Sequence, residues 1–339
     1  MDQKRIFVTG TAGFIGYHLA DLLLRQGHCV EGYDGLTDYY DVSLKQRRHA
    51  MLNQYKGFSA TEAPLEDEAQ LHAAIAAFQP DVIVHLAAQA GVRYSIDNPR
   101  AYLDSNIVGT FNVMDAARSI GTPHLLMAST SSVYGANTVM PFTEKERVAT
   151  PLTFYAATKL ANEAMGHSYA NIYNLPVTMF RFFTVYGPWG RPDMAYFKFV
   201  RNIIDGTPID IYNNGDMWRD FTYVDDLVLG IAGLIDAVPQ RPEKLENIAA
   251  GDSLSPAAPF RVVNIGNSEK VRLLDFIDAI EAEIGKKAIR NYMPMQQGDV
   301  PATWADASLL QSLTGYRPQT PIREGVARFV RWYRDYYEC

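Results

Sequence analysis

Short apolar runs alternate with stretches of helical spacing along the first half of the chain. Strands are predicted at 6–8, 29–33, 82–86, 125–127 and 177–182. These runs are continuous rather than alternating, which is typical of parallel strands covered on both faces. Between the first two runs, Leu19, Leu22 and Leu23 recur at helical spacing, and Gly27 closes that helix. The pattern therefore predicts βαβ units and a doubly wound parallel sheet, which is an α/β fold.

The texture of the sequence changes after residue 183. Proline and glycine cluster at 186–192, and the strands predicted at 209–212 and 262–265 stand isolated from other apolar runs. We therefore predict two domains. The larger, doubly wound domain is assigned to 1–183 plus about 218–238, and a smaller α/β domain to about 184–217 and 239–339.

Composition and charge narrow the classes of function. The 339 residues are 47% hydrophobic and 20% charged, which is ordinary for a globular protein. The formal net charge of −7 argues against a nucleic-acid partner, because no basic block can displace counterions from phosphates. No apolar run approaches the roughly 20 residues that span a bilayer, so we expect no membrane segment.

Cysteine and histidine usage indicates a reducing compartment and no metal. The two cysteines, Cys29 and Cys339, lie far apart, so no disulfide framework is implied and we expect a cytoplasmic protein. The first residues lead straight into a strand and a glycine loop, so we expect no signal peptide. The seven histidines show no zinc-type spacing, and no metal site is expected.

A glycine-rich loop lies between the first strand and the first helix. Gly10, Gly13 and Gly16 are each separated by two residues. Glycines permit a tight turn and let backbone amides approach a pyrophosphate, while the helix N-terminus supplies partial positive charge. Asp34 ends the second strand, where a carboxylate accepts hydrogen bonds from a ribose diol and repels a 2′-phosphate. The loop therefore predicts a site for NAD rather than NADP.

Tyr155 and Lys159 are four residues apart, so they share one face of a helix. A lysine near the phenol favours the phenolate and predicts a pKa for Tyr155 below its usual value of about 10. Such a phenol can take a proton from an alcohol near neutral pH. Thr130, Ser131 and Ser132 end an apolar run and are expected to project toward the same place. This layout suits oxidation or reduction of a carbinol beside a nicotinamide.

Longer strings carry a family resemblance over essentially the whole chain. The glycine loop, Asp34, the segments 86–90 and 128–135, Asn106 and the Tyr155/Lys159 pair resemble those of extended short-chain dehydrogenase/reductases. The strings at 38–45, 89–95, 190–195, 215–226 and 298–303 are similar to those of nucleotide-sugar 4-epimerases, and most closely to those of UDP-glucuronate 4-epimerases. The resemblance implies NAD-dependent conversion of UDP-glucuronate to UDP-galacturonate through a transient 4-keto intermediate. It also implies a homodimer, for which the segments near 100–118 and 155–173 are the candidates.

The resemblance implies a role for each matching residue. Thr130, Tyr155 and Lys159 form the implied catalytic group, with Tyr155 as acid and base. The implied NAD contacts are Gly10, Gly13, Phe14, Ile15, Gly16, Asp34, Leu86, Ala87, Ala88, Asn106, Ser129, Tyr155, Lys159 and Phe182. The implied contacts to the UDP-sugar are Arg93, Thr130, Ser131, Ser132, Thr184, Arg191, Arg219 and Asp299.

Two stretches depart from the family pattern. The adenine-contacting segment, which usually shows Asp-Leu, reads Ala-Pro-Leu-Glu-Asp at 63–67, and Gly35 and Thr37 replace frequent asparagines. Neither change touches the residues of the catalytic group.

Three reactions of the superfamily share the 4-keto intermediate, and residues 130–132 separate them. Dehydratases resemble Thr-Asp-Glu there and uronate decarboxylases Thr-Ser-Glu, whereas this chain has Thr-Ser-Ser. Epimerisation is favoured because no carboxylate is available there for chemistry at C5.

Thr184 stands where galactose-type epimerases usually carry Asn, which argues against a neutral UDP-hexose. The alternatives are a UDP-glucose/galactose 4-epimerase, a UDP-uronate decarboxylase, an NAD-dependent dehydrogenase for external substrates and a non-catalytic sugar-nucleotide-binding regulator.

The same hydroxyls suggest how a 4-keto uronate, which is a β-keto acid, would avoid losing carbon dioxide. We hypothesise that Thr130, Ser131, Ser132 and Thr184 hold the carboxylate in the ring plane. The breaking C–C bond would then lie out of alignment with the ketone π system.

Overall fold

Strands and helices alternate along the chain in the computed structural model, which describes residues 2–339. The strands are β1 (Arg5–Thr9), β2 (Cys29–Asp34), β3 (Phe58–Glu62), β4 (Val82–His85), β5 (His124–Thr130), β6 (Val177–Phe182), β7 (Thr184–Tyr186), β8 (Ile209–Ile211), β9 (Trp218–Arg219), β10 (Phe221–Tyr223), β11 (Phe260–Ile265), β12 (Val271–Arg272), β13 (Arg290–Tyr292) and β14 (Ala302–Thr303). The α-helices are α1 (Phe14–Arg25), α2 (Val42–Leu52), α3 (Glu68–Phe78), α4 (Tyr94–Asp97), α5 (Pro99–Tyr102), α6 (Thr110–Ile120), α7 (Phe154–Tyr173), α8 (Ala195–Asp205), α9 (Val224–Ile235), α10 (Leu273–Ile284), α11 (Ser308–Thr314) and α12 (Ile322–Tyr337). Within this described range, no helix is both long and apolar enough to cross a membrane.

A seven-stranded parallel sheet forms the centre of the described chain, in the order β11-β6-β5-β4-β1-β2-β3. Chain order reverses between β1 and β4, and in open α/β sheets such a switch point places a crevice outside the carboxyl ends of the strands. The predicted doubly wound α/β fold is confirmed. Every residue of β5 is buried, which explains the continuous apolar run in its sequence.

The two faces of the sheet are covered by different sets of helices. Because successive side chains of a strand point to opposite faces, Ile6 and Val8 pack into one core and Phe7 into the other. Apolar residues of α1, α9 and α11 complete the first core. Those of α3, α6 and α7 complete the second. A further apolar core joins α8, α10 and α12 beside the short strands of the second half.

Strand β11 lies in the main sheet, where it pairs with β6 along its whole length. The strand predicted at 262–265 is therefore present, and it belongs to the main sheet; apolar spacing does not encode which distant strand becomes its neighbour. The predicted boundary at 239 separates β11 from the sheet that it completes, and the remaining domain division stays a prediction. Strand β3 was not predicted, since its largely polar sequence occupies the half-exposed edge of the sheet.

Helix α7 begins beside the carboxyl end of β5. Its first turn is capped by Thr153, whose hydroxyl accepts a hydrogen bond from the Ala156 amide at 3.2 Å. The helix ends at Asn174, which takes the left-handed conformation with φ 53°. Because α7 starts at Phe154, Tyr155 and Lys159 lie in its first two turns, near the carboxyl end of β5.

Candidate active site

A cleft of about 1340 Å³ opens at the carboxyl ends of the main sheet. It brings together all but one of the predicted site residues. They are Gly10, Gly13, Phe14, Ile15, Gly16, Asp34, Leu86, Ala87, Ala88, Arg93, Ser129, Thr130, Ser131, Ser132, Tyr155, Lys159, Phe182, Thr184, Arg191, Arg219 and Asp299. The cleft thus joins the predicted cofactor end and the predicted substrate end in one continuous space.

The glycine loop packs its backbone too tightly for side chains. A Cβ atom at Gly16 would lie 2.0 Å from the Gly10 carbonyl oxygen, and one at Gly10 would lie 2.9 Å from the Ala87 nitrogen. Gly10 also has a φ of 83° and donates its amide to the Tyr33 carbonyl at 2.7 Å. The N-terminus of α1 is therefore open to a ligand along bare backbone.

Asp34 ties the glycine loop to the end of β2. Its Oδ2 accepts the Ala12 amide at 2.9 Å, and its Oδ1 accepts the Leu36 amide at 2.9 Å. Each carboxylate oxygen can accept more than one hydrogen bond. Asp34 therefore fixes the loop and still presents acceptors to the cleft, as a ribose contact requires.

Arg48 is a functional candidate that the sequence reasoning missed. It is fully buried on α2. Its guanidinium donates to Ala12 O at 2.7 Å, Tyr40 Oη at 2.8 Å, Trp189 O at 2.5 Å and Gly190 O at 3.3 Å. Arg48 thereby joins the glycine loop to the turn after β7. A signal was present, because Leu44, Arg48 and Leu52 place a charge within the apolar stripe of the helix.

Asn106 lies outside the cleft, so its predicted direct contact with the cofactor is corrected. Its Oδ1 accepts the Gln89 amide at 2.8 Å, and its Nδ2 donates to the Gln89 carbonyl at 3.0 Å. The residue sits in a π-helical turn, Leu103–Gly109, which aims its fully buried side chain at the segment after β4. Asn106 therefore fixes the backbone next to Ala87 and Ala88, which do line the cleft.

The predicted catalytic group is assembled between β5 and α7. The Lys159 Nζ donates to the Ala128 carbonyl at 3.0 Å, and Tyr155 and Thr130 both line the cleft. Burial raises the pKa of Tyr155, against the opposing effects of the neighbouring Thr130 hydroxyl and the Arg191 charge. Burial also lowers the pKa of Lys159 to about 8.

The expected depression of the Tyr155 pKa is therefore wrong in direction for the chain by itself. Desolvation penalises the phenolate more than the neighbouring groups stabilise it. The Lys159 ammonium is directed at a backbone carbonyl and is itself destabilised by burial. A further positive charge beside the phenol would be needed to bring its pKa toward neutrality.

Four hydroxyls face the cleft on the substrate side of this group. Ser131 and Ser132 belong to a short 3₁₀ turn that follows Thr130, and the Ser132 amide donates to Thr130 Oγ1 at 3.2 Å. Thr184 begins β7 and also lines the cleft. The Thr130–Ser132 segment and Thr184 are thus brought together as the sequence predicted.

Ser129 borders the cleft but turns its hydroxyl elsewhere. Its Oγ donates to Glu163 Oε1 at 2.5 Å, and both residues are buried. The predicted cofactor contact of Ser129 stays a prediction, and the hydroxyl is not the group that would make it, since it is bonded to Glu163. The side chain takes the opposite course because adjacent residues of a strand point to opposite faces of the sheet.

The three predicted arginines are held by different partners. Arg93 Nη2 lies 3.2 Å from Asp299 Oδ2, and Arg191 Nε donates to Asp193 Oδ1 at 3.0 Å. The Arg219 guanidinium instead donates to backbone carbonyls at 2.8 and 2.9 Å. Burial lowers the pKa of Arg219, although Asp299 acts in the other direction. Arg219 is thus a half-buried cation that an anionic ligand would stabilise.

Two further groups at the cleft were not predicted as site residues. Lys198 and Asn202 lie one turn apart on α8 and line the cleft. They are two of the four polar positions, with Arg201 and Asp205, of a strongly amphipathic helix that buries Phe197, Phe199 and Val200. Polar residues on such a helix usually face solvent, so spacing alone does not distinguish them from surface residues.

The segment that departs from the family pattern also reaches the cleft. Pro64, Leu65 and Glu66 line it. Asp67 instead caps α3, with its carboxylate accepting the Gln70 amide at 3.0 Å. The carboxylate that the chain offers at this edge of the cleft is therefore that of Glu66.

Comparison with known proteins gives one consistent family. Residues 6–249 match the NAD dependent epimerase/dehydratase family. A probable UDP-glucuronate 4-epimerase of Rhizobium meliloti is 55% identical over 333 residues, with 98% of each chain covered. UDP-glucuronate 4-epimerase 2 of Arabidopsis thaliana is 44% identical over 338 residues, which are 98% of this chain and 76% of that protein. The crystal structure of a UDP-glucuronic acid 4-epimerase from Bacillus cereus, in complex with UDP-glucuronic acid and NAD, is similar with a TM-score of 0.87. The two sequences are 30% identical, and the match covers 98% of this chain and 100% of the Bacillus cereus chain.

Proposed function

Because this chain belongs to the NAD dependent epimerase/dehydratase family, we propose that it interconverts UDP-glucuronate and UDP-galacturonate by 4-epimerisation. The observation that carries this is the cleft itself. Thr130, Ser131 and Ser132 line it together with Tyr155 and Lys159. The group has a proton-transfer phenol for the C4 hydroxyl, and the triplet has no carboxylate for elimination or decarboxylation at C5.

The residues at the cofactor end fit a bound NAD. Gly10, Gly13 and Gly16 line the cleft without side chains at the entrance of α1, and a Cβ at Gly10 or Gly16 would clash with neighbouring backbone. A pyrophosphate there would meet the positive end of the helix dipole. Asp34 presents the carboxylate for a ribose diol, and the same charge would disfavour a 2′-phosphate.

The mechanism assigned to the chain centres on one residue that acts in both directions. Tyr155 takes the proton of the C4 hydroxyl, while Thr130 donates a hydrogen bond to the C4 oxygen. When bound, NAD would accept the C4 hydride and later give it back, and its positive ring charge would lower the pKa of the phenol. The sugar then turns within the cleft and presents its other face. Tyr155 returns the proton to the C4 oxygen, which gives the inverted alcohol.

Local cations in the cleft suit a substrate with three or more negative charges. The chain as a whole is acidic, with a formal net charge of −7, so attraction must come from specific side chains. Arg93, Arg191, Arg219 and Lys198 line the substrate end, and guanidinium forks match phosphate and carboxylate oxygens. We assign the diphosphate and the uronate to this set together with the four hydroxyls.

Incubation of the purified protein with UDP-glucuronate, without added NAD, tests the proposal. Proton NMR should show UDP-galacturonate growing toward an equilibrium mixture, because NAD is regenerated in each cycle. Heat denaturation should release NAD from the same preparation. Release of carbon dioxide would instead identify a decarboxylase. Turnover of UDP-glucose alone would identify an epimerase for neutral sugars, and no turnover of either would favour a binding protein.

The hydroxyls that we assign to the uronate carboxylate can be tested separately. Ser131→Ala and Thr184→Ala should weaken UDP-glucuronate binding and release some UDP-4-keto-pentose, because a less restrained carboxylate can align for loss of carbon dioxide. Thr207→Ala, at an exposed threonine outside the cleft, is the matched control. Wild-type binding and no pentose in both cleft variants would place the carboxylate elsewhere.

We also propose that two copies of the chain pair through α6 and α7 and the π-helical turn before α6. Exposed apolar side chains concentrate there, including Val108, Phe111, Ile172 and Tyr173, and the Phe111 ring meets Tyr169 of α7 edge-on. Phe111→Asp should shift sedimentation toward a monomer. Leu245→Asp, at an exposed leucine elsewhere, should not. Identical sedimentation of both variants and the wild type would refute this surface.

A further inference from the structure

A buried ion pair lies behind the catalytic group and outside the cleft. Arg181 donates to Glu163 through Nε at 2.9 Å and Nη2 at 2.7 Å. Their side chains are only 3% and 7% exposed. Buried ion pairs add little net stability compared with apolar packing of the same volume. The pair therefore calls for a reason other than stability.

On the helix side, Glu163 continues the face that carries the catalytic residues. Tyr155, Lys159 and Glu163 follow one another at intervals of four along α7, so they point the same way. Lys159 Nζ donates a hydrogen bond to Ala128 O, and Glu163 Oε1 accepts one from Ser129 Oγ. Two consecutive residues at the end of β5 thus hold this face of the helix.

On the sheet side, Arg181 contacts residues before and after the hydroxyl triplet, Thr130, Ser131 and Ser132. It lies beside Ser129 in the register of β5 and β6, and both side chains bond to Glu163 Oε1. Its guanidinium also lies 4.7 Å from the centre of the Tyr134 ring. Ser129 immediately precedes Thr130, and Tyr134 ends the 3₁₀ turn that follows it. One ion pair therefore contacts residues on each side of the triplet.

We propose that Glu163 and Arg181 are positioning residues that fix the Thr130 hydroxyl against the Tyr155 phenol. They touch neither the cleft nor a reacting atom. They set the spacing between α7, which carries the phenol, and the end of β5, which carries the hydroxyl donor. This inference rests on the proposed epimerase activity, because its effect is on proton transfer at the C4 oxygen.

The test compares Glu163→Gln and Ser129→Ala with a matched control, Asp252→Asn. Asp252 also forms a buried, two-point ion pair, with Arg261 at 2.9 and 3.0 Å, and neither of these residues lines the cleft. Each variant is assayed for kcat and KM with UDP-glucuronate, for melting temperature and for NAD content per chain. Ser129→Ala removes one hydroxyl without changing any charge, so it tests the positioning even if Glu163→Gln fails to fold.

We expect kcat to fall about 100-fold in Glu163→Gln, since misplacement by about 1 Å can cost that much. We expect kcat to fall about tenfold in Ser129→Ala, where only the hydrogen bond between Ser129 and Glu163 is lost. KM should stay within about threefold and NAD content should be unchanged, because the lost interaction acts in the transition state. Asp252→Asn should lower the melting temperature and leave kcat at the wild-type value.

Equal kcat values in Ser129→Ala, the wild type and Asp252→Asn would overturn the inference. A lowered melting temperature with normal kcat in Glu163→Gln would also overturn it, because the ion pair would then be only structural. If the wild-type protein does not turn over UDP-glucuronate, the proposed function itself fails, which is a different result.

Discussion

Replacing Arg48 with lysine should loosen the junction between the glycine loop and the turn after β7. Arg48 is fully buried and joins these two segments through bonds to Ala12, Trp189 and Gly190. A lysine keeps the positive charge but lacks the planar fork that reaches both segments at once. The substitution thus separates the geometry of the guanidinium from its charge.

The size of the effect follows from the hydrogen bonds that are lost. Arg48 makes four such bonds, and we expect an ammonium to retain about two of them, given its compact shape. Losing two bonds of a charged donor at roughly 1.5 kcal/mol each lowers the free energy of unfolding by about 3 kcal/mol. With an unfolding entropy of about 2.1 cal/mol/K for each of the 339 residues, the melting temperature should fall by about 4 °C.

Differential scanning fluorimetry and the NAD content after dialysis measure the two consequences. Arg48→Lys should melt lower and lose NAD faster, because Ala12 belongs to the loop that we assign to the pyrophosphate. Arg47→Lys is the matched control, since its neighbouring guanidinium is exposed and only lies over the Tyr336 ring. A melting temperature and NAD content equal to those of the control would refute this account of Arg48.

Three further predictions concern the site and the pH dependence of stability. Tyr155→Phe should lower the epimerisation rate by about 10²–10⁴-fold without loss of NAD, measured by NMR, and substantial remaining activity would exclude Tyr155 as the acid and base. Gly16→Ala should yield protein without NAD, because the added Cβ would lie 2.0 Å from Gly10 O, and a full complement of released NAD would contradict this. Burial raises the pKa of Glu144 from 4.5 to about 7, although the Asn264 amide opposes the shift. The folded state therefore binds this proton more tightly than the unfolded state, and the group costs stability increasingly as the pH rises from about 4.5 to about 7. Glu144→Gln should then raise the melting temperature relative to wild type more at pH 8 than at pH 5, and an equal difference at both pH values would refute this.

Much of the fold and the outline of the site could be predicted from local sequence. Buried parallel strands have continuous apolar runs, and β5 is such a strand along its whole length. Backbone contacts at a strand-to-helix turn require glycine at positions 10 and 16. The turn could therefore be predicted from these two residues without knowing which distant residues pack there. Spacing also placed Tyr155 and Lys159 on one helix face, where the structure has them.

The sequence reasoning failed where the outcome depended on partners distant in the chain. Strand β11 became part of the sheet through pairing with β6, and Asn106 turned toward Gln89 because of a π-helical turn. The pKa of Tyr155 was predicted in the wrong direction because its burial depends on everything packed around it. Proximity to a lysine is visible in a sequence, but desolvation is not.

The division of labour in the cleft follows from the chemistry of an inversion. Tyr155 must take a proton from one alcohol and return it to the opposite epimer, so the catalytic group has to stay fixed while the sugar turns. It is accordingly fastened to the main sheet, with Lys159 on Ala128 and with buried charged groups behind it. The cations that we assign to the diphosphate lie on other segments, with Arg219 on β9 and Arg191 in the turn before α8. A substrate anchored there can rotate about its diphosphate bonds while the phenol keeps one position, which is the arrangement that a single acid and base requires.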